Sequence, residues 1–196
     1  MDIVAHALWA GAGTTLAARR FQIEPRTAIA TMAFAALPDL LQFLPIFGWV
    51  LFGDGSWTAL VAHAIALPGN EPVMPPVIAL TSYHLHCIAH SAVVATALSA
   101  VMWIVTRSLW IPLLGWWSHI VIDVFTHSAD FYPAPVFYPI TYRGFDGIAW
   151  NEPWFMVLNY TALGVVCVWA MRSCATSSRS ETVSRTMDHP QHRSGP

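Results

Sequence analysis

The chain contains no lysine, and only 10% of its 196 residues are charged. Soluble domains carry about a quarter, so an ordinary water-soluble globule is not the first expectation. The nine arginines form no basic patch and the formal net charge is -2, which removes the electrostatic footprint that a nucleic-acid partner needs. The three cysteines, Cys87, Cys167 and Cys174, are odd in number and lack CxxC spacing, so neither a disulfide framework nor a thiolate zinc knuckle is supported. No internal repeat and no glycine-rich phosphate loop occurs. A cleavable signal peptide would open on basic residues, whereas here Asp2 comes first and Arg19 and Arg20 follow the apolar run. Retention of that run as a first helix is expected.

What is present is apolar: 56% of residues are hydrophobic, with a mean hydropathy of +0.51. Five stretches, 3–18, 27–52, 80–105, 109–125 and 153–171, approach or exceed the roughly 20 residues that a spanning helix needs. Helices are expected because an open strand could not satisfy its backbone groups in lipid. The predicted fold class is therefore all-α, an integral membrane bundle of about five transmembrane helices with two outer cap segments. Residues 1–172 form its membrane domain and 173–196, rich in Ser, Thr and Arg, a disordered cytoplasmic tail carrying His189 and His192.

With the N-terminus outside, eight of the nine arginines, all but Arg143, fall on the inner side, as the positive-inside rule asks. Asp54, Glu71, Asp130, Asp146 and Glu152 fall in the two outer segments, 53–76 and 128–152. The first holds "SWTALVAHAIAL", read as a short interfacial helix with His63 as an interfacial residue. The second, dense in proline and aromatic residues, reads as a semi-rigid cap at headgroup level. In "LPDLLQFLP", Pro38 and Pro45 predict a bend beside Asp39.

Against this background the ionisable residues inside the apolar stretches stand out. A charge near the bilayer centre costs on the order of 3 kcal/mol, so such residues face the bundle interior and carry a role. His119, Asp123 and His127 are spaced four apart and share one helix face. His86 and His90 form a second such pair, with His84 on a different face, and His6 and Asp39 come from the first two helices. Antiparallel third and fourth helices would bring His90 and His119 to the same depth, about 15 Å in at 1.5 Å per residue. Imidazoles and carboxylates without thiolates suit zinc, iron or manganese. A dinuclear or trinuclear centre with Asp39 or Asp123 bridging is one expectation, and a hydrogen-bonded network gluing the helices is the alternative.

At these residues the chain resembles a known family. "MDIVAHALWAGAG", "LPDLLQF", the "AHS" ending at Ser91 and "GWWSHIVIDVFTHSADFYP" together are similar to the LexA-regulated, membrane-bound metal-dependent hydrolases, over about residues 1–160. The resemblance implies His6, Asp39, His90, His119 and Asp123 as metal ligands, with Ser91 and Thr126 beside them, and a bacterial or archaeal inner or plasma membrane as the location. The chain departs from the pattern at Leu41, where many members have an acidic residue, and at His84 and His86, where the polar residues ahead of His90 sit at different offsets.

The expected function is hydrolysis of an ester or phosphoester, of a lipid or a lipid-linked molecule, by water activated at a divalent metal, zinc first and manganese or iron otherwise. Asp123 and His127 are the candidate catalytic pair. His127 is a general base, a support for a ligand or simply the residue that closes its helix, and His86, Ser91 and Thr126 are the expected outer support. The rival is a non-enzymatic protein: a metal or proton transporter, or a scaffold with buried histidines. The inner halves of the second and fourth helices offer no ionisable residue beyond Asp39 and His119, which favours a one-sided site.

Overall fold

The computed structural model describes residues 1–187, with side chains through Arg172. Eight helices follow one another: α1 (Ile3–Ala17), α2 (Pro25–Leu41), α3 (Leu44–Phe52), α4 (Trp57–Ile65), α5 (Pro76–Ala89), α6 (Ala92–Thr106), α7 (Leu113–Thr126) and α8 (Pro153–Met187). The described residues contain no strand. Local chemistry explains the starts. Asp2, Ser56 and Ser91 accept from the amides of Ala5, Ala59 and Val94, and prolines occupy the first turns of α2, α3 and α5, where the missing N–H would have had no partner.

Two of the expected long helices are broken. The bend predicted from Pro38 and Pro45 falls between them, at Gln42 and Phe43, where α2 and α3 meet at 64°. A second break, of 62° between α5 and α6, lies at His90 and Ser91 in a stretch with neither proline nor glycine. There Ser91 adopts extended backbone and caps α6 with its hydroxyl. A broken helix frees backbone groups that lipid cannot satisfy. Here the protein satisfies them: Ser82 Oγ donates to Gln42 O, Trp116 Nε1 donates to Ala89 O at 2.6 Å, and Ala92 N donates to Val136 O at 2.9 Å.

Among the described residues one helix, over Pro153–Arg172, is long and apolar enough to cross a membrane, and up to three spans result if each bent pair is one span; α1 and α7 are shorter apolar helices. Burial runs opposite to that of a soluble protein. The fully buried side chains include His6, His90, His119 and Asp123, while Phe52 is 90% and Val73 97% exposed. Such an inversion is compatible with an acyl environment, which accepts the apolar side chains that water rejects and rejects the ionisable ones.

Helix α2 packs against α1 and α7, and α8 packs against α1. The α2–α7 contact requires a glycine: a Cβ on Gly115 would lie 2.9 Å from Thr31 C and 3.0 Å from Ala35 N, closer still to Thr31 O. Small residues that let backbones approach are the usual means of helix association in lipid. Trp9 Nε1 donates to Asn159 Oδ1 at 3.0 Å and Tyr160 to Asp2 Oδ1 at 2.8 Å, fastening α8 to α1. Helix α8 runs on to Met187, through the start of the stretch read from sequence as a tail, while 188–196, with His189 and His192, lie outside the described residues.

The short helix expected in the first outer segment is α4, none of whose residues is buried; His63 meets the Phe43 ring edge-on at 5.8 Å. The proline- and aromatic-rich segment 128–152 lies across the end of α7. Gly147 N, Ile148 N and Trp150 N donate to the carbonyls of His127, Phe125 and Thr126 at 2.8, 2.9 and 2.9 Å. Those are carbonyls that a helix leaves without partners of its own, so the segment holds the end of α7, and with it His127, in place.

Candidate metal centre

Four elements deliver the buried ionisable groups to one place. His6 comes from the first turn of α1, Asp39 from the end of α2, His90 from the α5–α6 break, and His119 and Asp123 from adjacent turns of α7. Asp39, His90, His119 and Asp123, all buried, each offer a donor atom within 4.8 Å of the others, and such a group could hold a metal ion.

Histidine orientation is fixed from outside the cluster. His119 Nδ1 lies 2.7 Å from Ala35 O, His90 Nδ1 2.8 Å from His86 O, and His127 Nδ1 2.5 Å from Tyr132 O. A carbonyl only accepts, so each Nδ1 carries a proton, and in the neutral ring the Nε2 lone pair points the other way. Metal-ligating histidines are typically held in this way. The Nε2 atoms of His90 and His119 then face each other at 3.0 Å, and Asp123 Oδ2 at 3.3 and 3.1 Å. Asp39 Oδ1 lies 3.5 Å from His90 Nε2 and 3.8 Å from His119 Nε2. A tetrahedral ion with bonds of about 2.1 Å spaces its ligands about 3.4 Å apart, and these five separations bracket that value. The donor set fits a divalent cation. Two imidazoles with two carboxylates suit zinc, manganese or iron alike.

The other oxygen of Asp123 serves a different set. Oδ1 lies 2.9 Å from His6 Nε2, 3.4 Å from His127 Nε2, 3.3 Å from Thr126 Oγ1 and 2.5 Å from the Met1 amine, which is also 3.0 Å from His127 Nε2. His6 stacks on His119 with ring centroids 3.8 Å apart, and neither of its nitrogens makes an aligned hydrogen bond. Asp123 therefore stands between two groups of partners, one oxygen to each.

All five ligands expected from sequence, His6, Asp39, His90, His119 and Asp123, are brought together, His6 on the Oδ1 side. The outer support divides. Thr126 reaches Asp123. His86 contributes its carbonyl to His90 and packs its ring on that of His90, centroids 4.0 Å apart. Ser91 instead turns its hydroxyl to Val94 N and Tyr138 O, a cap that shapes the break presenting His90. His84 packs beside Tyr83 and Tyr138 and does not join the cluster, and Cys87 is a buried free thiol. No family model, curated protein or solved structure matches the chain. The carbonyls of Ala35 and Tyr132 and the Met1 amine are the parts that residue patterns missed, since main-chain groups have no residue-type signature; the close α2–α7 approach at Gly115 was the nearest available signal for Ala35.

Proposed function

We propose that this chain is a membrane-embedded, metal-dependent hydrolase of the LexA-regulated type it resembles, acting on an ester or phosphoester of a membrane lipid or lipid-linked molecule. One observation carries the reading: the Nε2 atoms of two imidazoles, each with Nδ1 held by a carbonyl, face each other at 3.0 Å beside two buried carboxylates. Acceptors packed so closely without donors are unfavourable; a shared cation makes the same arrangement attractive. Zinc is the proposed ion. When bound, it would acidify water and polarise the ester oxygen under attack.

The side chains divide the remaining work. Asp39, His90, His119 and Asp123 would hold the cation, and His6 supports Asp123 from its Oδ1 side. His127, with Nδ1–H committed to Tyr132 O, turns Nε2 toward the Met1 amine and Asp123 Oδ1, where it is placed to take a proton from the amine. The proposed architecture is a bundle of about five membrane-crossing helices, counting α2 with α3 and α5 with α6 as bent spans and α1 and α7 as short ones. Its N-terminus lies outside and its C-terminus in the cytoplasm of a bacterial or archaeal cell. A lipid substrate fits a site enclosed by helices whose outer faces are apolar.

The test is hydrolysis of phosphodiester, phosphomonoester and carboxyl-ester lipids by purified protein in detergent, with and without zinc or manganese. Metal-dependent turnover lost in His119→Ala, with the fold retained, is the expected result. Turnover only on water-soluble peptides or sugars would refute the substrate class. Lowered thermal stability with no metal ever bound would make the histidines packing elements.

A further inference from the structure

Tyr132 is an unusual residue in three respects. Its backbone is in the left-handed region, φ 45°, which a bulky side chain rarely adopts and which persists only where surrounding structure enforces it. The strained peptide turns its carbonyl onto His127 Nδ1 at 2.5 Å. At the other end of the same residue, the hydroxyl donates to Glu71 Oε1 at 2.7 Å and also approaches Ala66 O at 3.2 Å. Glu71 is itself anchored, since Gly69 N donates to Oε2 at 2.9 Å. One residue thus spans from the α4–α5 segment, through the cap, to the ring that faces Asp123.

We propose that Tyr132 is a positioning latch: its carbonyl fixes His127 with Nε2 toward Asp123, and the Tyr132–Glu71 contact ties that arrangement to the outer segment, so that the state of the outer face sets how firmly the centre holds its cation. The inference rests on the metal reading above. Three links carry the connection inward. Tyr132 O makes Nδ1 the protonated nitrogen of His127, Nε2 then accepts from the Met1 amine, and the same amine contacts Asp123 Oδ1, whose partner oxygen faces His90 and His119. Opening the Tyr132–Glu71 contact leaves the strained backbone at Tyr132 free to relax, and the carbonyl moves off His127.

The test measures zinc release from full-length, zinc-loaded protein to excess chelator. Tyr132→Phe and Glu71→Ala remove opposite halves of one hydrogen bond while leaving every metal donor in place. Each is expected to keep the wild-type zinc content and to release zinc about tenfold faster, the low end of the 10–100-fold effect of lost outer-shell partners. The double variant should be no faster than the faster single one, because the contact that joins the two residues is already gone in each. Ring 15N shifts of His127 should show Nδ1 protonated in wild type and a mixture of tautomers in both variants. Release within twofold of wild type, additive effects in the double variant, or a lowered melting temperature with unchanged release and unchanged ring signals would each overturn the latch while leaving the metal centre standing. A wild-type protein that takes up no zinc would overturn the metal reading itself.

Discussion

Gly115→Ala is the smallest change that should disable the centre without touching a ligand. A Cβ there would lie 2.9 Å from Thr31 C and 3.0 Å from Ala35 N, whereas ordinary contact starts at 3.4 Å. Those are backbone atoms of α2, so no side chain can swing away. Close-packed helices can only part, by about 0.5 Å for these two atoms and by more than about 1 Å to clear Thr31 O as well. One turn further along α7, His119 Nδ1 donates to Ala35 O at 2.7 Å, and His119 Nε2 faces Asp39, also on α2, at 3.8 Å. Parting the helices by about 1 Å takes the first contact past hydrogen-bond length and draws Asp39 away from the ligands on α7. Zinc affinity should fall about 10–100-fold, and overpacking should cost about 1–3 kcal/mol of stability. Competition for zinc against a chromophoric chelator reads the first, and thermal unfolding of the metal-free protein the second. Gly164→Ala is the control, because nothing lies within 4 Å of its Cβ position; it should leave both unchanged. A Gly115→Ala protein that binds zinc within twofold of wild type would refute the argument that the α2–α7 approach sets the site.

Three further outcomes follow from the same geometry. Asp123→Asn keeps the shape but removes the charge that both oxygens present to His6, His90, His119 and His127; zinc measured by elemental analysis should drop to near zero, and a retained full equivalent would remove Asp123 from the ligand set. Ser91→Ala should lower stability by about 1 kcal/mol through loss of the α6 cap while leaving zinc affinity within threefold; a larger loss of affinity would restore Ser91 as a support of the ligands. Burial pulls the Glu71 carboxyl up, but hydrogen bonds from the Tyr132 hydroxyl, its own backbone amide and the Gly69 amide, with the nearby His63, outweigh it and hold the group below its ordinary 4.5. Folding thus favours ionised Glu71, so its contribution is whole above that value and is lost as pH falls through the depressed one. The melting-temperature gap between wild type and Glu71→Ala, both metal-free, should be present at pH 7 and close on acidification; a gap that widens would contradict the sign.

The helices themselves were legible because long apolar runs away from water must satisfy their own backbone groups, and a helix does so within one segment. The bend near Asp39 announced itself through Pro38 and Pro45. The break at His90 did not, since Ser91 is as compatible with a continuing helix as with a cap until Tyr138 and Val136 supply partners from the distant outer segment. Likewise, the four-residue spacing of His119, Asp123 and His127 put them on one face, yet gave no sign that His127 is turned by Tyr132 rather than by its own helix.

Sequence by itself determined that ionisable groups lie in apolar helices and which faces they share, because the cost of charge in lipid and the 3.6-residue period are local properties. The tertiary fold decided which atoms meet: that Asp123 gives Oδ2 to His90 and His119 and Oδ1 to His6 and His127, and that three imidazoles are oriented by Ala35, His86 and Tyr132 carbonyls. Every residue has a carbonyl, so no residue pattern can mark the ones that matter; only packing distances, such as the approach that Gly115 permits, select them.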